Sequence, residues 1–199
     1  MNARQHLIAE RRALRELCHG LGPAEWETPS LCEGWRVRDV VAHVVGVERD
    51  LGHLWRARGD VEAANQLSVE QRREIPVLQL LAELDEITPV HGLARLFASL
   101  FLVDNWIHQE DIRRPLGRLR RHHPDRLRWI LRVVAHGAVS PRARGVRFVA
   151  TDVDLAIGRG PEVRGPAADL IMAAAGRESE ARDLDGAGLS QLLGHQTGY

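Results

Sequence analysis

The segment Asp104-Asn-Trp-Ile-His108 has the spacing of a metal-binding pair. On a helix, residues four apart project from one face, so a carboxylate and an imidazole could bind the same ion. A third donor, His43, lies earlier in the chain within the apolar stretch VVAHVVG. We interpret His43, Asp104 and His108 together as a site with three protein ligands and open coordination positions. That arrangement is typical of a catalytic metal rather than a structural one.

The pair Asp104 and His108 has a simpler explanation, as an ordinary surface pair worth about 0.2–0.5 kcal/mol. Its neighbours argue against that. Phe97, Leu100 and Phe101 precede the pair at helical spacing, and we expect this stripe to face the core. Asp104 would then be buried, and a buried carboxylate is costly unless it is paired or bound to a metal.

His43 alone would also suit a core imidazole bonded to a backbone carbonyl. As a ligand it needs an acceptor for its second ring nitrogen, and Asp39, four residues earlier on the same face, is a candidate. Asp39 is equally suited to the first turn of a helix, where an acid stabilises the helix dipole. Both roles stay open. His136 is the best substitute if one proposed ligand fails.

The reactive group is expected to come from outside the chain. Two cysteines are too few for a disulfide framework or a Cys-based zinc site. Neither Cys18 nor Cys32 has an obvious neighbour that would lower its pKa, although Cys32 lies in a loop expected near the site. The remaining candidates for the reactive group are an external thiol and a metal-bound water. Arg113 and Arg114 are either solvated or hold a substrate carboxylate.

Composition narrows the class of protein. The chain has 199 residues, of which 44% are hydrophobic, enough for one ordinary domain and a small appendage. Its 27 basic residues, all arginine, balance 27 acidic ones, which argues against nucleic acid or an anionic membrane as partner. The arginine bias is typical of a GC-rich genome. With neither an apolar leader nor an apolar run of about 20 residues, we expect a soluble, cytoplasmic protein.

Helices must position the three ligands. Apolar periodicity predicts a helix over residues 2–19 and another from Val37 to Trp55 that is stopped by Gly59. Ser68 to Gln71 has the pattern of a capping box, which predicts that a short helix starts there, and Pro76 restarts the chain into PVLQLLAELDEI.

A long helix should carry Asp104 and His108. Thr88 and Pro89 are typical of a helix start, so we predict a helix from there to the residues before Pro115. The sequence His123-Pro124-Asp125 then predicts the start of the fourth helix, whose apolar residues on all sides suggest deep packing.

After Pro141 the pattern changes. GVRFVAT and DLAIG predict two short strands, GPEVRG a loop and GPAADLIMAAAG a helix, followed by a weakly structured tail. We therefore predict a mainly α fold, with a four-helix bundle over residues 1–140 and a short α+β extension over residues 141–199.

The motifs LCEGWRVRDVVAHVVG and LVDNWIHQEDIRRPLG resemble the mycothiol-dependent maleylpyruvate isomerase family, within the DinB-like metalloprotein superfamily. The segment ATDVDLAIGRGPEVRGPAADLIMAAAGR is similar to the C-terminal extension of many actinobacterial members. The resemblance implies a DinB-like four-helix bundle, mycothiol as a cofactor, and a divalent metal on His43, Asp104 and His108. Zinc is the expected metal, with nickel or another divalent ion as the alternative.

Two departures from the family pattern bear on the substrate. The pattern has glutamate where this chain has Asp104, and the C-terminal segment is expected to be shorter than the second domain of the isomerase. Because one scaffold can host different reactions, the substrate cannot be taken from the resemblance.

Three functions stay open. The first is an enzyme, an isomerase or S-transferase, that uses a metal-activated low-molecular-weight thiol on a small electrophilic substrate. The second is a non-catalytic metal-binding protein for stress or sequestration. The third is a helical bundle that acts through protein contacts. Expected partners are the substrate and the thiol, without nucleic acid or membrane, and a homodimer is allowed.

Overall fold

The computed structural model of the protein describes residues 1–49 and 61–194. By their contacts the residues group into two compact units, one from Asn2 to Leu119 and one that begins at Arg120. A grouping by contacts does not establish where an independently folding domain ends, so the boundary after residue 140 stays a prediction. The mainly α fold with a small sheet is confirmed.

The first unit is helical. Its helices are α1 (Ala3–His19), α2 (Pro23–Trp26), α3 (Val37–Arg49), α4 (Val61–Glu70), α5 (Val77–Ile87), α6 (Gly92–Leu96) and α7 (Ala98–Arg113). α1 packs on α7, and α3 packs on α4, α5 and α7. The buried core between them includes Leu14, Val41, Val45, Leu84 and Ile112.

The ends of the first helices follow local chemistry. α1 begins with a reciprocal capping box, in which the Asn2 side chain accepts from the Gln5 backbone N–H at 3.0 Å and the Gln5 side chain accepts from that of Asn2 at 2.9 Å. The predicted helix over residues 2–19 is confirmed. α3 begins at Val37 as predicted; its predicted continuation to Trp55 and the stop at Gly59 lie outside the described residues.

Two predicted helix starts are wrong. Ser68 does not open a helix but lies in the last turn of α4, where its hydroxyl donates to the carbonyl of Asn65 at 2.7 Å. Thr88 is the C-cap of α5 rather than an N-cap, and its hydroxyl donates to Leu84 O at 2.9 Å. In both cases a hydroxyl bonds back to a carbonyl of its own helix, which the same residue type can do as readily as capping.

The fourth helix of the bundle also differs from the prediction. α5, which begins after Pro76 with an apolar face of Leu80, Leu84 and Ile87, packs on α1 and α3. The helix predicted to start at His123-Pro124-Asp125 is confirmed as Pro124–Ala135, with His123 as its N-cap, and its contacts group it with the second unit. Its apolar residues are concentrated on one side rather than all round, so it needs a single partner surface.

The second unit contains α8 (Pro124–Ala135), the strands β1 (Arg147–Ala150), β2 (Ala156–Gly158) and β3 (Glu162–Gly165), and the helices α9 (Ala167–Ala174) and α10 (Leu189–Leu193), with 3₁₀ turns at Pro141–Gly145 and Glu178–Ala181. The sheet order is β2-β1-β3, with β2 antiparallel and β3 parallel to β1. α8 packs on α9.

Two predictions for this unit fail. GPEVRG forms β3 rather than a loop, because the buried Val163 pairs with the buried Phe148 of β1. The segment after α9 holds a 3₁₀ turn and α10, so up to Gly194 it is more ordered than predicted. Of the helices described, none combines the length and the apolar character that crossing a bilayer requires.

Candidate metal centre

The three predicted ligands come together in the first unit. α7 presents Asp104 and His108 one turn apart, and α3 presents His43 against them. Asp104 Oδ1 lies 3.6 Å from His43 Nε2 and 3.4 Å from His108 Nε2. The two imidazole rings meet edge to face, with centroids 4.7 Å apart. One ligand atom from each residue thus falls within 4.8 Å of the other two.

The spacing of these atoms suits a divalent ion. Ligands that bind one ion tetrahedrally at 2.0–2.2 Å are about 3.3–3.6 Å apart. The separations of Asp104 Oδ1 from the two Nε2 atoms, 3.4 and 3.6 Å, fall in that range and are longer than good hydrogen bonds. Two imidazoles and one carboxylate are also a ligand set that zinc and other divalent transition metals accept. The residues therefore fit the expected metal.

Access to the centre is from the side of Asp104. His43 is 2% exposed and His108 is buried, whereas the Asp104 side chain is 31% exposed. The expected buried stripe is wrong, because Phe97 and Leu100 are 52% and 51% exposed.

The buried stripe of α7 follows a neighbouring line. It runs through Leu102, Trp106 and Gln109, all of them fully buried. Asp104 lies beside this stripe and not within it. Convergence with His43, rather than deep burial of the carboxylate, is what defines the centre.

His108 is held from its other side by Asp111. Its Nδ1 lies 2.9 Å from Asp111 Oδ2, and Asp111 is fully buried one turn further along α7. The half-buried thiol of Cys32 donates to the same Oδ2 at 3.1 Å and lies 3.8 Å from Nδ1. Because Cys32 and Asp111 approach the same ring nitrogen, they do not form a Cys–His–Asp nucleophile, which needs the two on opposite nitrogens.

His43 has a neutral partner on its second nitrogen. Its Nδ1 lies 3.3 Å from the hydroxyl oxygen of Ser68 on α4, and the ring of Trp35 stacks obliquely at 5.2 Å between centroids. Asp39 does not take this role. Its carboxylate accepts from the backbone N–H and the guanidinium of Arg36 at 2.9 Å, in the first turn of α3, so the helix-terminal role is the observed one.

The neighbouring charges perturb all three ligands. Burial lowers the pKa of His43 below its ordinary value. Burial also acts to lower the pKa of His108, but Asp104 and then Asp111 outweigh it, so that pKa is raised. The pKa of Asp104 is held well below its ordinary value because His108 and His43 outweigh the effect of burial. These opposite shifts favour protonation of His108 over protonation of His43.

A second buried polar cluster lies close enough for its charges to act on Asp104. Arg11 and Glu48 form a hydrogen-bonded ion pair, and Arg11 also donates to Ile87 O at 2.6 Å. Burial raises the pKa of Glu48 to about 7, and the Asp104 charge adds to that shift while Arg11 opposes it. The buried Asn105 side chain acts on Glu48 as well, in the direction that lowers its pKa.

Two contacts of the centre were missed in the sequence, namely Asp111 and Ser68, whereas Cys32 lies beside the centre as its loop position led us to expect. Asp111 carried a signal, since it follows His108 by three residues and belongs to the same helical face. Ser68 carried none, because it reaches the centre from a different part of the chain.

The remaining predicted residues have other roles. His136 is exposed at the end of α8, with Nδ1 2.6 Å from Arg132 O. Arg113 donates to Ala13 O at 3.2 Å, and Arg114 pairs with Glu110 at 3.3 Å. Both arginines are thus engaged within the bundle.

Comparison with known proteins agrees with this geometry. Residues 7–91 match the model of the mycothiol maleylpyruvate isomerase N-terminal domain. The crystal structure of the mycothiol-dependent maleylpyruvate isomerase is similar over 94% of this chain and 93% of that chain, with a TM-score of 0.60 and 19% identity. The structure of a histidine-to-alanine mutant of that enzyme matches over the same shares, with a TM-score of 0.57 and 18% identity. No curated protein matches the sequence.

These matches confirm the family resemblance and the fold. They also correct one expected departure: this chain spans 93% of the chain it resembles, so its C-terminal segment is not markedly shorter.

Proposed function

We propose that this chain, whose residues 7–91 match the model of the mycothiol maleylpyruvate isomerase N-terminal domain, is a divalent-metal-dependent enzyme that uses a low-molecular-weight thiol. Its reaction is isomerisation or S-transfer on a small electrophilic substrate. One observation carries the proposal: two imidazole Nε2 atoms lie 3.4 and 3.6 Å from one carboxylate oxygen, with the carboxylate side open to solvent.

The protein residues would hold the metal ion, and the reactive thiol would come from outside the chain. His43 and His108 would bind the ion from the buried side and Asp104 from the accessible side. The ion, when bound, supplies a Lewis acid that favours the thiolate form of an incoming thiol. The chain's own cysteines are poorly suited to replace that thiol, because burial raises the pKa of Cys18 to about 12 and Cys32 donates its S–H to Asp111.

The thiol would act on an activated double bond. Addition forms a carbon–sulfur bond and leaves a single carbon–carbon bond that can rotate, and elimination then returns the thiol and the other geometric isomer. Addition without elimination gives S-transfer. The names of the matching structures make mycothiol and maleylpyruvate the first cofactor and substrate to assay, and zinc the first metal.

The decisive test compares turnover with and without thiol. Protein purified without a metal-affinity column is analysed for bound metal, loaded with zinc, and assayed with maleylpyruvate in the presence and absence of mycothiol. We expect turnover only with both, and none from zinc-treated Asp104→Asn. Turnover that is indifferent to thiol would instead indicate hydrolysis by a metal-bound water.

A non-catalytic metal-binding protein is the second candidate. It is favoured by the internal engagement of Arg113 and Arg114, the two arginines expected to hold a substrate carboxylate. This alternative predicts tight zinc binding without mycothiol binding in calorimetry and without turnover of any enoyl carboxylate.

A further inference from the structure

The two histidines of the centre differ in what holds their outer nitrogen. Asp111 Oδ2 lies 2.9 Å from Nδ1 of His108, while the Ser68 hydroxyl lies 3.3 Å from Nδ1 of His43. One partner carries a full negative charge and the other is neutral. In both rings the Nε2 atom is the one directed at Asp104.

Asp111 is placed in direct contact with His108. It is fully buried, lies on the same helix as His108, and its Oδ2 also accepts the S–H of Cys32. An imidazole that donates Nδ1–H to a carboxylate is fixed in orientation and becomes a stronger base at Nε2. A dication bound by one carboxylate keeps a net positive charge, which Asp111 would neutralise directly behind His108.

Ser68 is placed by close packing of α4 against α3. Its hydroxyl donates to Asn65 O at 2.7 Å, so its oxygen is left to accept from Nδ1–H of His43. Gly46 permits this approach. A Cβ at Gly46 would lie 2.9 Å from the Ser68 Cβ and 3.1 Å from Nη1 of Arg72. The hydroxyl can orient the ring but contributes no charge.

We propose that Asp111 and Ser68 are unequal positioning residues of the metal centre. Asp111 strengthens His108 as a ligand and balances the charge of the ion, whereas Ser68 only fixes the ring of His43. This inference rests on the proposed metal site. It concerns which residues set the affinity of that site, and not the reaction that follows.

One arrangement of the same residues competes with it. Cys32, His108 Nδ1 and Asp111 also place one ligand atom each within 4.8 Å of one another and could hold a thiophilic ion themselves. In that case the thiol would be a ligand, and its removal would abolish binding. In our proposal the thiol is dispensable, because the bond between Asp111 and His108 does not depend on it.

The experiment measures the zinc dissociation constant of the full chain by competition with a chromophoric chelator. We expect Asp111→Asn to weaken binding about 10- to 100-fold, and Ser68→Ala to weaken it by a smaller factor. Asp39→Asn is the control, expected within about threefold of the unmodified chain, since Asp39 pairs with Arg36 and not with His43. Cys32→Ala tests the competing arrangement, and our proposal predicts that this variant still binds zinc.

Cobalt absorption separates positioning from ligation. At saturating Co²⁺ each variant should keep the intense visible bands of a tetrahedral site without a sulfur-to-metal charge-transfer band. Circular dichroism of the metal-free variants reports whether each has folded, and Ser68→Ala tests the weaker partner if Asp111→Asn does not fold.

The outcomes separate this inference from the proposed function. Failure of the unmodified chain to bind zinc or cobalt would overturn the proposed function. Two results would overturn only the proposal that Asp111 matters more than Ser68, provided that the unmodified chain binds zinc normally. One is an unchanged zinc dissociation constant in Asp111→Asn, and the other is a larger loss of zinc affinity in Ser68→Ala than in Asp111→Asn. Loss of metal in Cys32→Ala would overturn it in favour of the thiolate site.

Discussion

The helical unit contains two buried polar clusters that differ in how their charges are used. In the cluster of Arg11 and Glu48 the opposite charges bond directly to each other. In the metal centre, His43 and His108 stand 3.4–3.6 Å from Asp104, too far for good hydrogen bonds, while their outer nitrogens are engaged by other side chains. The charges of the first cluster thus satisfy each other, whereas the three candidate ligand atoms converge at distances that suit a shared ion.

The two clusters are also electrostatically linked. The Asp104 charge contributes to the raised pKa of Glu48. It also raises the pKa of Arg11, against the larger effect of burial, which lowers it. A cation at the centre would offset that charge.

The largest expected difference is in metal affinity. His108→Ala removes a ligand and should weaken zinc binding by more than the roughly 100-fold upper value for loss of an outer partner. Glu48→Gln should leave the zinc dissociation constant within about threefold, because Glu48 offers no ligand to the centre. Equal losses of zinc affinity in His108→Ala and Glu48→Gln, measured by chelator competition, would show that the two clusters do not differ in metal binding.

The second prediction concerns the dependence of stability on pH. The pKa of Glu48 rises from 4.5 to about 7 on folding. A raised folded-state pKa means that the contribution of this group to stability is complete below pH 4.5 and is lost as pH rises through 7. A pKa shift of this size corresponds to roughly 3 kcal/mol in the free energy of unfolding. Glu48→Gln removes this component, so the stability of the variant relative to the parent should increase between pH 5 and 8 in urea titrations.

The variant Asp104→Asn is a control that tests whether the pH dependence comes from Glu48 and its neighbouring charge. It removes a charge that raises the pKa of Glu48, so part of the pH dependence should disappear while Glu48 itself is present. A pH profile that is the same in Glu48→Gln and in the parent chain would show that the raised pKa is not a property of the folded protein.

The third prediction is stabilisation by the ion. Zinc at 100 times its dissociation constant should add about 2.7 kcal/mol to the free energy of unfolding, or roughly 5–10 °C in melting temperature for a chain of this size. EDTA should reverse the shift. Asp104→Asn should show little response, whereas Glu48→Gln should respond like the parent chain. An unchanged melting curve after verified loading would contradict ligation by the centre.

The smallest expected effect comes from Gly46. In Gly46→Ala the new Cβ would meet the Ser68 Cβ at 2.9 Å, so α4 must move away from α3. Overpacking costs about 1–3 kcal/mol, partly offset by about 1 kcal/mol of improved helix propensity. We expect slightly lower stability in thermal melts and zinc affinity reduced to about the level of Ser68→Ala. Unimpaired affinity would show that Ser68 does not need this close approach.

Local patterns were sufficient for the part of the site that lies on one helix. Asp104 and His108 were predicted from four-residue spacing, and the three-residue step to Asp111 could have been found in the same way. His43 was predicted from its apolar surroundings, and it is indeed buried on the inner side of α3.

The predictions that failed were those that depend on contacts between helices. The role of Ser68 rests on how closely α4 approaches α3, which one glycine permits and no periodicity reveals. The stripe of Phe97 and Leu100 was placed inside because its spacing fits a core, yet the packed line of α7 is the adjacent one. Likewise, two helices had adequate apolar faces for the fourth place in the bundle, and only packing selects α5 over α8.

The distribution of the ligands along the chain has a kinetic consequence. Asp104, His108 and Asp111 share one helix and are in place as soon as that helix forms, but His43 joins them only after about 65 residues have been closed into a loop, at a chain-entropy cost of roughly 4 kcal/mol. The unfolded chain therefore offers the ion no more than a weak chelate from one helical turn. Metal capture should follow native packing, so added zinc should slow unfolding and leave the refolding rate nearly unchanged in stopped-flow measurements.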